Sequence, residues 1–211
     1  PSNFINEKIQ MIRKIVGDKQ VLVGVSGGVD STVVAALIKK AIGSKMVAVL
    51  IDHGLMRKDE AKECKNILKE GLNVNINVYD ESDIFFDKLK GLQDPEIKRK
   101  TVGNQFIKSF DRVSTEFSDI PFLAQGTLYP DVIESGVSEI KTANVIKSHH
   151  NVGGLPEKLN FQLIEPLREL FKDEVRSIGY ELGLSKLLTG RHPFPGPGLS
   201  VRIIGEVTLE R

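Results

Sequence analysis

An α/β fold, a parallel sheet with helices on both faces, is what this sequence predicts, and three observations predict it. Short apolar runs alternate along the chain with segments of helical periodicity. Two of these runs, residues 21–25 and 46–51, are apolar along their length instead of alternating, as strands covered on both faces are. The turn after the first run carries paired glycines and opens straight into a helical pattern, the strand–turn–helix unit of such sheets.

Taken in order, the elements support that class. Ile5, Ile9, Ile12 and Val16 recur at helical spacing with Gly17 behind them, an amphipathic helix with a glycine stop. Residues 21–25 are the first strand, after which Val34, Leu37, Ile38, Ala41 and Ile42 share one helical face. Residues 46–51 make a second strand and residues 59–70, rich in lysine and glutamate, a helix. Residues 74–78, where apolar side chains alternate with asparagine, make a third strand. Asp94 followed by Pro95 is an N-cap with proline at the first helical position. It opens a long helix whose inner face is Val102, Phe106, Phe110, Val113 and Phe117, with Phe106 and Phe110 assigned to the core and not to base stacking. Residues 121–125 are a fourth, buried strand, and Phe171, Val175, Ile178 and Leu182 are helical up to Gly183. The expected sheet is five-stranded and Rossmann-like, with ligands gathered beyond the carboxyl ends of its strands. The turns at Gly27-Gly28, Asp52-His53-Gly54 and Gln125-Gly126-Thr127 should therefore meet at one crevice.

From Thr189 the texture changes to Arg191-His192-Pro193-Phe194-Pro195-Gly196-Pro197-Gly198-Leu199, which admits neither regular helix nor regular sheet. Residues 200–204 read as a strand beginning a small second unit. The expected division is residues 1–188 as one domain and 189–211 as a hinge with the start of another.

Composition narrows the class. With 40% hydrophobic residues in 211, the chain can bury a real core. No apolar run approaches the ~20 residues that span a membrane, and no N-terminal signal is visible. A net charge of +1 gives no general field for nucleic acid. A lone Cys64 excludes an internal disulfide and any paired-cysteine metal or redox site, which points to a cytoplasmic protein.

Chemistry concentrates at Ser26-Gly27-Gly28-Val29-Asp30-Ser31-Thr32. Two glycines let the backbone approach an anion, the turn's N–H groups point at it, and the helix start adds about half a positive charge. Ser26, Ser31 and Thr32 offer hydroxyl donors. Asp30 is the odd member, because a carboxylate beside phosphate is repelled unless a cation lies between them; Mg²⁺ held by one carboxylate and phosphate oxygens resolves the conflict. Neither the lysine of a Walker loop nor the triple-glycine spacing of a dinucleotide fingerprint is present.

This loop resembles the SGGxDS pyrophosphate loop of the N-type ATP pyrophosphatases, whose adenine-nucleotide-hydrolase-like fold the predicted elements match. Further segments resemble the ATP-pyrophosphatase domain of the GMP synthetase family. They are Ile51-Asp52-His53-Gly54-Leu55-Met56-Arg57, Asp94-Pro95-Glu96 with Lys98-Arg99-Lys100, residues 122–131, Val132-Ile133-Glu134-Ser135, residues 146–155, residues 165–175 and residues 191–199. The resemblance runs from about Gly24 to Val207. It implies a ligase that adenylates xanthosine monophosphate with MgATP and aminates it to GMP. It also implies a synthetase subunit, with ammonia supplied by a separate glutamine amidotransferase subunit, since no catalytic cysteine for that step is evident. Homodimerisation is expected only with the further C-terminal domain that family members carry.

The resemblance assigns residues too. Ser26, Gly27, Gly28, Val29, Asp30, Ser31, Thr32 and Gly126 hold ATP, and Asp30 holds the metal. Lys147, in the donor-rich stretch Lys147-Ser148-His149-His150-Asn151-Val152-Gly153-Gly154, supplies a cation from a mobile lid; the same stretch is also readable as an exposed polar loop. Arg99, His149, His150 and Arg202 contact the acceptor nucleotide. Two readings stay open for Arg99 (a phosphate contact or part of a solvated run) and for Arg202 (a phosphate contact or a domain contact). Asp131 and Glu134 either complete a cation site or cap a local helix.

Overall fold

The computed structural model describes residues 2–133, 161–185, 189–190 and 196–208. Its elements run α1 (Ser2–Val16), β1 (Val21–Gly24), α2 (Val29–Ile42), β2 (Met46–Asp52), α3 (Glu60–Leu72), β3 (Ile76–Asp80), α4 (Ser82–Leu89), α5 (Pro95–Thr115), β4 (Phe122–Ala124), β5 (Gln162–Ile164) and α6 (Lys172–Glu181). Short 3₁₀ turns occupy Gly43–Lys45 and Gly198–Val201. The sheet is five-stranded in the order β3-β2-β1-β4-β5, and every pairing is parallel.

Side-chain alternation along the strands divides the interior into two cores. Val21 and Val23 of β1, with Ala48 and Leu50 of β2, face a core built from α1, α2, α3 and α6. Leu22, Val49, Ile51 and Leu123 point the other way, toward Phe85 and Leu89 of α4 and Val102 and Val113 of α5. Because both faces are covered, the strands can be apolar throughout. Helix α2 goes further. Val33, Leu37 and Ile38 are fully buried, and every residue from Ser31 to Ile38 is buried. Each such side chain contributes about 1.5–3 kcal/mol on burial, so packing outweighs the poor helix propensity of its β-branched residues.

The long helix begins as predicted, with the Asp94 carboxylate accepting from the Ile97 N–H at 2.9 Å. Phe106, Phe110 and Phe117 pack, half-buried, on the second core. The third strand lies two residues later than residues 74–78, since Val74 serves the turn by donating its N–H to Leu68 O. Helix α4 and strand β5, the fifth member of the sheet, were not readable from periodicity. The segment at 200–204 is a correction. Instead of opening a strand, it follows the 3₁₀ turn Gly198–Val201, whose Leu199 N–H donates to Leu55 O at 2.7 Å. Its β-branched residues favour a strand, but no partner strand takes their backbone groups; Val207 completes the second core beyond them.

Candidate functional site

Strand β1 pairs with β2 on one side and β4 on the other, so the chain reverses its direction of travel across the sheet between β1 and β4. A crevice outside the carboxyl ends of the strands opens at such a switch point. The turn 25–28 leaves β1 there and the turn 125–128 leaves β4 beside it. Gly126 packs so closely that an added Cβ would lie 3.2 Å from the Asp30 carbonyl carbon and 3.3 Å from Ser31 N. The two turns therefore form one surface.

The first turn is shaped by its two glycines. Gly27 has φ +79° and is buried, where a Cβ would sit 3.2 Å from Met56 Cε. Gly28 is the N-cap of α2 and no side chain caps that helix. Its leading N–H groups are thereby of the kind that can receive an anion. Ser26 is exposed at the cradle. Ser31 works inward: it accepts the Ser26 N–H at 3.1 Å and reaches the Gly28 carbonyl at 3.2 Å. Thr32, 1% exposed, donates to the same carbonyl at 2.9 Å. The hydroxyls of Ser31 and Thr32 thus shape the turn, and the Ser26 hydroxyl meets Ser31 Oγ at 3.1 Å, so the backbone N–H groups of the helix start are the turn's outward donors.

Asp30 has two unlike carboxylate oxygens. Oδ2 meets Lys172 Nζ at 3.4 Å, whereas Oδ1 is buried with no partner among the described residues. Burial raises the Asp30 pKa above its ordinary value, against the opposing pull of Lys172. A buried, unpartnered anionic oxygen next to a phosphate cradle suits a hard divalent cation. Among the described residues no group of three or more His, Cys, Asp or Glu side chains gathers around a common point. A cation here would draw its other ligands from phosphate and water, as Mg²⁺ commonly does.

Lys172 was missed by the reading of single residues, although it lies within the 165–175 segment. The available signal was its position: it is the first residue of α6, where a cation opposes the helix dipole and needs an anion nearby. Arg176, one turn on, also lowers the Asp30 pKa, and its Nε is buried without a partner. Gln125, at the end of β4, holds a buried Oε1 in the same condition.

Asp131 accepts the Leu128 N–H at 2.9 Å, a helix-start cap, while its charge pushes the Asp30 pKa up. Thr127 donates to Glu165 at 2.6 Å, tying the turns after β4 and β5 together. Arg99 is half-buried on α5, with Nε on Glu96 Oε2 at 2.7 Å and a second contact to the other oxygen. Arg202 is exposed in the segment that follows the 3₁₀ turn. Glu134, Lys147, His149 and His150 lie outside the described residues.

The loop after β2 completes the surroundings. A cavity of about 340 Å³, lined in part by Met56, Arg57, Lys58 and Lys62, opens next to Gly27 through Met56. His53 behind it is buried; its Nδ1 accepts the Leu55 N–H at 3.0 Å, and the Gly196 backbone takes a further hydrogen bond. Burial holds the His53 pKa below 6.5. A base whose pKa is depressed on folding contributes its full stability above the unfolded value and loses it as pH falls below that value. The contact between residues 53–55 and 196–199 should accordingly loosen below about pH 6.5. Hydrogen exchange at Leu199, corrected for its intrinsic pH dependence, reads this as lower protection at pH 5.5 than at pH 7.5. A His53→Gln variant flattens the difference.

Comparison with known proteins places these features among relatives. The NAD synthase family model matches residues 2–114. GMP synthase [glutamine-hydrolyzing] of Clostridium perfringens is 53% identical over 210 residues, covering 100% of this chain and 41% of that protein. The protein of the same name from Bacillus velezensis is 57% identical over 209 residues, covering 99% and 40%. The chain thus spans about two fifths of the length of these relatives. Among solved structures, NMN synthetase from Francisella tularensis superimposes with a TM-score of 0.68 at 14% identity, over 94% of this chain and 77% of that one, a likeness of fold.

Proposed function

The chain belongs to the NAD synthase family, and we propose that it carries the ATP-activating half of GMP synthesis. The observation that carries this reading is the pairing of an uncapped helix start with the unpartnered Asp30 oxygen beside it. Similarity along the whole of this chain to about two fifths of proteins named GMP synthase supports the choice of acceptor.

In this reading the cradle at residues 26–31 receives the β and γ phosphates of ATP. The C2 oxygen of xanthosine monophosphate attacks the α-phosphorus, the α–β bond breaks, and pyrophosphate leaves with the bond's electron pair. Ammonia then adds at C2 and AMP departs with the former C2 oxygen, giving GMP. Mg²⁺ on Asp30 would offset charge on the departing phosphates. Lys172 holds the second Asp30 oxygen, keeping the first turned toward the cradle. The chain's own task is positioning and charge stabilisation, with little proton transfer. Arg99 and Arg202 are proposed for the acceptor's phosphate, and a glutamine amidotransferase for the ammonia.

The test supplies xanthosine monophosphate, MgATP and ammonium chloride and follows GMP, AMP and pyrophosphate. Equimolar appearance of all three is expected. Product only when nicotinate adenine dinucleotide replaces xanthosine monophosphate would move the chain to an NAD synthetase activity. ATP binding with no pyrophosphate from any acceptor would make it a nucleotide-binding subunit without catalysis.

A further inference from the structure

Lys98 is fully buried, a costly place for an ammonium unless its donors are all taken. They are taken by one short stretch of chain: Nζ donates to the carbonyls of Ser200 at 3.2 Å, Ile203 at 2.7 Å and Gly205 at 2.5 Å. An ammonium has three protons to give, so the set is complete. Neither a helix nor a strand claims those three carbonyls, and the lysine gives the segment the internal support that regular structure would otherwise supply.

The stretch so gathered encloses Arg202. The residue that gathers it is next in sequence to Arg99. Arg99 and Arg202 therefore lie on the two segments that Lys98 joins, α5 and residues 200–205. Arg202 itself is exposed, at the end of a 3₁₀ turn followed by bends. Charge-assisted bonds to carbonyls on both sides of it restrict its freedom before any ligand arrives, which lowers the ordering cost of binding.

We propose that Lys98 is a positioning residue: it sets Arg202 relative to Arg99 so that both address one anionic group, the phosphate of the acceptor nucleotide. This rests on the function proposed above. Lys98 touches no substrate. Its effect is specific to the acceptor, because the cradle at residues 26–31 stands on β1 and α2 and not on this joint.

The test is a double-mutant cycle in the full chain with Lys98→Met, which keeps most of the side-chain volume, and Arg202→Ala. Lys98→Met is expected to weaken xanthosine monophosphate binding at least about tenfold, the loss of a charge-assisted contact. ATP binding should change less than twofold. In the Arg202→Ala background the same Lys98 change should cost little more, since it acts through Arg202. Hydrogen exchange should quicken at Arg202 and Ile203 and stay unchanged at residues 26–32. Equal losses for ATP and acceptor, or fully additive losses, overturn the proposal and leave Lys98 a purely structural residue. Wild-type protein that binds ATP but no xanthosine monophosphate overturns the acceptor assignment itself, and the two failures are distinct.

Discussion

Asp30→Asn abolishes most pyrophosphate release and yet melts at a higher temperature than the unchanged protein at neutral pH. The first half follows from the site: the substitution removes an anionic oxygen that has no partner among the described residues. Loss of a preorganised electrostatic contact to a reacting phosphate costs roughly 10²–10³-fold in turnover. The second half follows from linkage. Burial raises the Asp30 pKa above 3.8 despite Lys172. A carboxyl whose pKa is raised on folding binds more protons in the native state, so stability falls as pH rises through its folded value. Asparagine carries no such penalty. The melting advantage should shrink as pH is lowered and vanish near 3.8, where both states of the aspartate are becoming protonated. Thermal melts across pH 4 to 8, beside initial rates of pyrophosphate release, check both halves. A variant with unchanged rate would remove Asp30 from the chemistry.

Gly198→Ala is the largest expected loss of stability outside the cores. Gly198 has φ +65°, and a Cβ there would fall 2.1 Å from Leu55 O and 2.8 Å from Leu55 C. The left-handed conformation alone costs about 1–2 kcal/mol for a residue with a Cβ. Relieving the clash must separate two backbones, which breaks the Leu199-to-Leu55 hydrogen bond of 2.7 Å and adds about 1 kcal/mol. A total on the order of 3 kcal/mol lowers the melting temperature by roughly 6–12 °C for a domain of this size. Gly183→Ala is the control: its φ is +86° but no atom of the described residues lies within 4 Å of the added atom. It should show the strain alone. Equal losses in the two variants would mean that the contact with Leu55 contributes nothing.

The parts of this fold legible from sequence share a physical cause. Runs buried on both sides, such as Val21–Gly24 and the part of β2 up to Ile51, are apolar along their length, the pattern of strands covered on both faces. The Asp94-Pro95 start was legible because the cap and the fixed proline φ are local events. Strand β5 was not, since its three residues, Gln162–Ile164, carry too few side chains for any period to show. Residues 200–204 were misread for a different reason. Their backbone carbonyls are satisfied by Lys98, a side chain about a hundred positions away, and no local pattern records such a bond.

The candidate site divides in the same way. Gly27, Gly28 and Asp30 were singled out because a carboxylate beside an anion-binding turn calls for a cation between them, and the proposed function builds on that reading. The inward roles of Ser31 and Thr32 could not be read off, because a hydroxyl's direction depends on the turn it helps to build. Lys172 required the sheet order, which brings the start of α6 against the start of α2. Cys64, set aside from catalysis, is a buried thiol in the first core.

The central claim is that this cradle serves transfer of the adenylyl group to the C2 oxygen of a purine nucleotide. Xanthosine monophosphate carrying ¹⁸O at C2 tests it most directly, supplied with MgATP and ammonium and followed by mass spectrometry of the nucleotide products. The account predicts that the label appears in the phosphate of AMP, with pyrophosphate unlabelled and GMP free of it. Label found in inorganic phosphate, or AMP released without label, would contradict it.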